Sequence, residues 1–160
     1  MPTRTDFDDE QWATLRLAPW QVGLGVMAAD PSGILGRQRE LRAVEASVRR
    51  TSERGARSRL VALVVDDVLS GDNLPHAEPG GRSDEELADV VVERCAEVRR
   101  LLDETVDDDE ARSFRRWLYE IAEEVALAAE EGDGPFGERV SELELRYLAR
   151  LAAALDVDPR

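Results

Sequence analysis

Four helix-start signals recur along this chain, and each precedes apolar residues at helical spacing. In each signal an Asp or Ser is followed three residues later by Glu or Gln, the pattern of a capping box, in which each side chain accepts the other residue's backbone N–H. The four pairs are Asp8 with Gln11, Ser83 with Glu86, Asp107 with Glu110, and Ser141 with Glu144. After Ser83, Leu87, Val91 and Cys95 recur at every fourth position and share one helix face. These signals favour an all-α fold.

The pattern predicts a compact bundle of about seven helices in a single domain, 1–160. Because Pro19 suits a first helical turn, we expect one short helix to end near Leu17 and a second to begin at Pro19. The predicted helices cover about 8–17, 19–29, 36–53, 60–69 and 83–105, with one from 107 to before Gly132 and one from 141 through Leu155.

One segment also fits a strand. Residues 59–68 read RLVALVVDDV, which is β-branched and ends in two aspartates, like the first strand of a phospho-receiver domain. That fold needs several more strands and a lysine that the chain lacks. As a helix, the segment is apolar nearly all round and should be buried, so at least one of Asp66 and Asp67 should be partly buried. A buried carboxylate needs a partner, for which Arg42, Arg49 or Arg59 is available.

The charge is high and unevenly spread. The net charge is -14, and all 21 basic residues are arginine, so lysine-based Schiff-base and P-loop chemistry is excluded. Residues 1–60 carry a balance of +2, whereas residues 61–160 carry -16. A surface this negative repels phosphate backbones, so we expect no nucleic-acid partner and favour divalent cations and basic partners.

Composition also indicates where the chain works. Hydrophobic residues make up 42% of it, but no apolar run approaches the roughly 18 residues of a transmembrane helix. The acidic start of the chain does not resemble a signal peptide, and the one cysteine, Cys95, excludes an internal disulfide. We therefore expect a cytoplasmic protein.

A short motif occurs twice, once in each half of the chain. The first copy runs from Val26 to Ile34 and reads VMAADPSGI, and the second runs from Val125 to Gly134 and reads VALAAEEGDG, with VSELE at 140–144 after it. Each copy is an Ala-rich helix end followed by an acidic turn with glycine and then an amphipathic helix. The duplication predicts two pseudo-symmetric helix–acidic turn–helix units, at about 19–54 and 110–155.

These motifs resemble the TerB-like (tellurite-resistance) family, in which each half carries an A-D-G-x-[VI]-S-x-x-E turn between helices. The resemblance covers about 22–44 and 121–155, and Gln38 stands where the first copy needs a carboxylate. It implies a compact all-α fold, acidic surfaces proposed to bind metal cations, and a role in membrane-associated stress complexes.

The acidic turns are the candidate metal site. Ca²⁺ and Mg²⁺ take oxygen ligands from carboxylates and loop carbonyls, and acids at a helix C-terminus oppose the helix dipole unless a cation compensates. The predicted ligands are Glu130, Glu131, Asp133 and Glu144 in the second turn and Asp30 in the first. The alternative is that these acids are simply solvated, with Glu144 serving as a helix cap.

A basic stretch lies next to the first acidic turn. Residues 37–59 hold eight arginines against three glutamates. Such a face suits an anionic membrane or an acidic partner, or it offsets the acidic half of the chain, within one molecule or in a dimer.

The sequence thus predicts a non-enzymatic interaction or divalent-cation-responsive module in a bacterial stress pathway. The alternatives are a metal-free protein–protein interaction domain of the same fold, and a Mg²⁺-dependent hydrolase built on Asp66 and Asp67 or on the second-turn carboxylates. We expect a protein partner, and leave open peripheral membrane association and homo-oligomer formation.

Overall fold

The computed structural model describes residues 1–30, 36–71, 81–130 and 140–159, with side chains from Leu41 in the second range and up to Ala128 in the third. Within these ranges every element of secondary structure is a helix, so the predicted all-α bundle is confirmed. A 3-10 turn at Arg4–Asp6 precedes six helices, which are α1 (Asp9–Ala29), α2 (Gly36–Arg54), α3 (Arg59–Ser70), α4 (Asp84–Thr105), α5 (Asp108–Glu130) and α6 (Glu142–Leu155). None of the described helices is both long and apolar enough to cross a membrane.

The two predicted N-terminal helices are a single helix, so the described ranges contain six α-helices and not seven. Pro19 lies inside α1, where it removes a backbone hydrogen bond at a cost of about 3 kcal/mol. The residues on both sides of it, Ala18, Trp20 and Val22, are buried. Burial of the surrounding turns offsets the loss at Pro19, because apolar side chains contribute about 1.5–3 kcal/mol each when fully buried.

Three of the four capping boxes form as predicted, those of Asp8, Ser83 and Ser141. The fourth differs. Asp107 accepts the N–H groups of Asp109 and Glu110, but the Glu110 carboxylate turns to the neighbouring helix. There it accepts the N–H of Arg59 at 3.0 Å and that of Leu60 at 2.9 Å. The first turn of α3 is therefore capped twice, by its own Ser58, which accepts the N–H of Val61, and by a side chain of α5.

The strand alternative for 59–68 is wrong, since this segment lies in α3. The expected all-round burial is also wrong. Leu60, Val64 and Val68 are buried, whereas Asp66 and Asp67 are exposed. Asp67 does have a partner, but it is Arg16 of α1, whose Nε lies 2.7 Å from the carboxylate, and not an arginine of α2 or α3. The Trp12 indole N–H also donates to Asp67.

Two helices, α1 and α5, form the centre of the bundle, because each contacts all the others. Close approach to α1 depends on two glycines. A Cβ atom at Gly23 would lie 2.4 Å from a methyl carbon of Val44 in α2, and one at Gly25 would lie 1.8 Å from the Tyr147 hydroxyl of α6. Glycine at these positions therefore lets α2 and α6 pack directly on α1.

Candidate functional site

The predicted metal ligands fall partly outside the described residues. Asp30 is half-buried and follows α1 as its C-cap, and Glu130 is the last residue of α5. Glu131 and Asp133 lie outside the described ranges. Glu144 is only 7% exposed and accepts the N–H of Ser141 at 2.9 Å. In the part of the chain that the structure describes, no group of three or more acidic, histidine or cysteine side chains is arranged to hold a metal ion.

The flanks of the two acidic turns nevertheless meet in space. Ala29, at the end of α1, and Leu143, at the start of α6, line the same cleft of about 450 Å³. We call it the tyrosine cleft. It is lined by Ala28, Ala29, Asp84, Glu85, Ala88, Asp89, Leu143, Arg146, Tyr147 and Arg150. Arg150 pairs with Asp89 at 2.6 Å.

Tyr147 forms the buried side of the tyrosine cleft. Its hydroxyl is inaccessible to solvent and has no hydrogen-bond partner among the described residues. Burial raises its pKa above the usual range, with a smaller contribution from nearby Cys95. Burial also raises the pKa of the Cys95 thiol to about 12. Both groups are therefore neutral at physiological pH, and an inert thiol is what burial produces.

A second cleft, of about 270 Å³, lies between α2, the start of α3 and α5. We call it the arginine cleft. Five arginines line it together with two glutamates, three hydroxyl side chains, a glycine, a valine and a tryptophan. They are Ser47, Arg50, Thr51, Arg54, Gly55, Arg57, Val61, Arg112, Ser113, Arg116, Trp117, Glu120 and Glu124.

Trp117 provides a fixed wall of the arginine cleft. Its indole N–H donates to the Thr51 hydroxyl at 3.0 Å, and that hydroxyl donates to the Ser47 carbonyl at 3.0 Å. The ring also packs edge-on against Phe114, with centroids 5.3 Å apart. Because every polar atom of this chain of contacts has a partner, the indole holds its position and presents an apolar surface to the cleft.

The two glutamates hold some of the arginines in place. Glu124 pairs with Arg50 at 2.5 Å. Glu120 pairs with Arg57 at 3.0 Å and with Arg116 at 3.4 Å. Arg50, Arg57 and Arg116 are thus each held by a carboxylate of α5. Hydrogen bonds between a guanidinium and a carboxylate are among the stronger ones in proteins.

The other two arginines of the cleft, Arg54 and Arg112, have fewer ion-pair partners. Arg54 has no hydrogen bond or ion pair with any described residue. Among the described residues Arg112 pairs only with Asp109, whose side chain is 91% exposed, and such exposed pairs are weak. The lining itself, with five arginines and two glutamates, has a surplus of three positive charges, one of which belongs to the exposed pair of Arg112 with Asp109.

The sequence indicated one wall of this site and missed the other. Part of the basic stretch 37–59 is offset within the molecule, through Arg49 with Glu45 and through Arg50 and Arg57 with α5. The α5 wall was not predicted. Its local signal is the spacing of Arg112, Arg116 and Glu120, which puts all three on one helix face.

Compared with known proteins, the chain matches no family model, no curated protein and no solved structure. The TerB-like resemblance therefore stays a prediction from the two motifs.

Proposed function

We propose that this protein is a non-enzymatic interaction module and that its arginine cleft binds an acidic side chain on a segment of a partner protein. The observation that carries the proposal is the surplus of three positive charges in one cleft of a chain whose net charge is -14. Charge concentrated against the overall sign of the molecule favours an anionic occupant.

The side chains suit that occupant. Planar guanidinium groups bind carboxylates through two parallel hydrogen bonds, and Trp117 lines the cleft beside them. The negative field of the whole molecule repels acidic proteins at a distance. The favourable binding energy therefore comes from a residue that the partner inserts into the cleft. This limits binding to segments that fit the cleft.

The test is a titration of isotope-labelled protein with a short glutamate-rich peptide, followed by NMR. We expect shifts of the Trp117 indole signal, assigned with Trp117→Phe, and of backbone amides from Thr51 to Arg57. Arg54→Ala combined with Arg112→Ala should abolish them. Arg42→Ala is the matched control, because Arg42 is exposed on the same helix and does not line the cleft. Shifts confined to other surfaces, or an unaffected double variant, would refute the proposal.

A divalent-cation role is the second candidate, supported by the convergence of both acidic-turn flanks on the tyrosine cleft. Calorimetry with Ca²⁺ and Mg²⁺ tests it through Glu144→Gln, which removes the charge while glutamine still closes the capping box. Glu86→Gln is the control, because Glu86 forms the same box with Ser83. Binding lost only in Glu144→Gln supports the role, and absence of binding to the parent protein removes it.

The remaining features of the proposal rest on sequence. The TerB-like motifs carry the assignment to a bacterial stress pathway, and the composition carries the cytoplasmic location. The hydrolase alternative has less support, since Asp66 and Asp67 line neither cleft and Asp67 is bound to Trp12 and Arg16.

A further inference from the structure

The arginine cleft is small for the charge that it presents. Its volume of about 270 Å³ lies just below the range for ligand pockets, which starts at about 300 Å³. A cleft of this size admits one side chain and not a run of acidic residues. A ligand therefore meets the positive charge of the cleft with a single group.

A carboxylate supplies one negative charge, and the cleft already contains two of them. Glu124 occupies Arg50, and Glu120 occupies Arg57 and Arg116. To reach Arg50, Arg57 or Arg116, an incoming carboxylate has to compete with these fixed groups on equal terms. A phosphate monoester carries about -1.5 to -2 charges at pH 7 and offers three strong acceptor oxygens, so it competes with an advantage.

We propose that the occupant is the phosphate monoester of a phosphorylated serine or threonine in the partner segment. This inference rests on the proposed function and narrows its ligand. Arg54, which has no partner among the described residues, and Arg112, whose partner is solvent-exposed, make the first contacts. The half-buried Ser113, which has no side-chain hydrogen bond with a described residue, donates from the α5 wall.

The glutamates of the cleft then act as competitors of the ligand. Glu120 holds two arginines that the phosphate would otherwise bind, and both pairs are partly accessible to solvent. Glu120→Gln keeps a hydrogen-bonding side chain and removes the competing charge. It should strengthen phosphate binding, which a merely structural role for Glu120 does not predict.

The experiment compares three probes by calorimetry and by the Trp117 indole NMR signal. They are a blocked tripeptide with phosphoserine at its centre, the same tripeptide with glutamate, and inorganic phosphate. We expect the phosphoserine peptide to bind at least about tenfold more tightly than the glutamate peptide, a difference of about 1.4 kcal/mol. Arg54→Ala should weaken its binding about tenfold, Glu120→Gln should tighten it several-fold, and Arg42→Ala should leave it unchanged.

The opposite outcomes separate the two proposals. Equal binding of both peptides in the cleft overturns the phosphate inference and leaves the interaction module standing. Inorganic phosphate binding as tightly as the phosphopeptide also overturns it, because the partner segment then contributes nothing. If neither peptide moves the Trp117 signal, both the inference and the proposed function fail.

Discussion

The arginine cleft and the tyrosine cleft contain the same kinds of charged side chain. They differ in the balance of positive and negative charge and in the hydrogen bonding of the buried aromatic residue. The first has five arginines against two carboxylates, and the second has two arginines against three carboxylates. The buried Trp117 of the first has a hydrogen-bond partner, whereas the buried Tyr147 of the second has none among the described residues. The comparison teaches that ion pairs alone do not define a site, because both clefts have them. The charge surplus and the fixed wall distinguish the arginine cleft.

The largest expected effect lies behind the tyrosine cleft. Gly25→Ala places a methyl group 1.8 Å from the Tyr147 hydroxyl oxygen and 2.9 Å from a methyl carbon of Val91. Overpacking of this kind costs about 3 kcal/mol, measured as the free energy of unfolding in urea. Tyr147→Phe in the same chain should recover part of the loss, because it removes the nearest atom. A Gly25→Ala protein as stable as the parent would show that α1 and α6 separate easily.

The next effect concerns the framework of the arginine cleft. Glu110→Ala leaves the N–H groups of Arg59 and Leu60 without their acceptor, at a cost of about 2 kcal/mol. Since Arg57 and Val61 flank this cap, binding of the acidic peptide should weaken as well. Glu104→Ala, which changes an exposed glutamate of α4, is the control. Normal stability of Glu110→Ala would mean that water replaces the carboxylate at no cost.

Alkaline pH should lower the free energy of unfolding through two buried groups near the tyrosine cleft, Cys95 and Tyr147. Burial raises the pKa of Cys95 from 9.0 to about 12, and burial raises the pKa of Tyr147 in the same direction. Above pH 9 the Cys95 thiol loses its proton in the unfolded chain but keeps it in the folded protein. The free energy of unfolding is therefore unaffected by this group below pH 9 and falls as the pH rises toward 12. The slope is at most about 1.4 kcal/mol per pH unit for each group. Urea unfolding at pH 7, 9 and 10 measures it, and Cys95→Ala should flatten it. An unchanged slope in that variant would contradict the assignment.

The smallest effects contrast the two buried aromatic residues, and they have opposite signs. Tyr147→Phe removes a buried hydroxyl without a described partner and should stabilise the protein at pH 7 by up to about 1 kcal/mol. Thr51→Val leaves the Trp117 indole N–H without its acceptor and should destabilise it by about 1 kcal/mol. Thermal unfolding of the two variants beside the parent checks the signs. The same sign for both would remove this difference between the clefts.

The helices were predictable because their signals are local. The features that were predicted wrongly or missed all depend on contacts between residues far apart in sequence. The boxes at Ser83 and Ser141 need only two residues three positions apart, and sequence shows both. Pro19 was misread as a helix start because burial of both its flanks is not visible in a window around it. Glu110 fits its own box equally well, and only the approach of α3 explains why its carboxylate points elsewhere. The arginine cleft was missed because its two walls are more than 50 positions apart in sequence.

The cap that Glu110 provides for α3 also bears on the order of folding. A chain that has emerged only as far as α4 contains α3 but not the carboxylate that accepts the N–H groups of Arg59 and Leu60. Helix termini left without acceptors fray. Ser58 caps α3 from its own segment by accepting the N–H of Val61, but the N–H groups of Arg59 and Leu60 gain their acceptor only when α5 docks. In pulse-labelled hydrogen exchange during refolding, the amides of Arg59 and Leu60 should gain protection no earlier than those of α5.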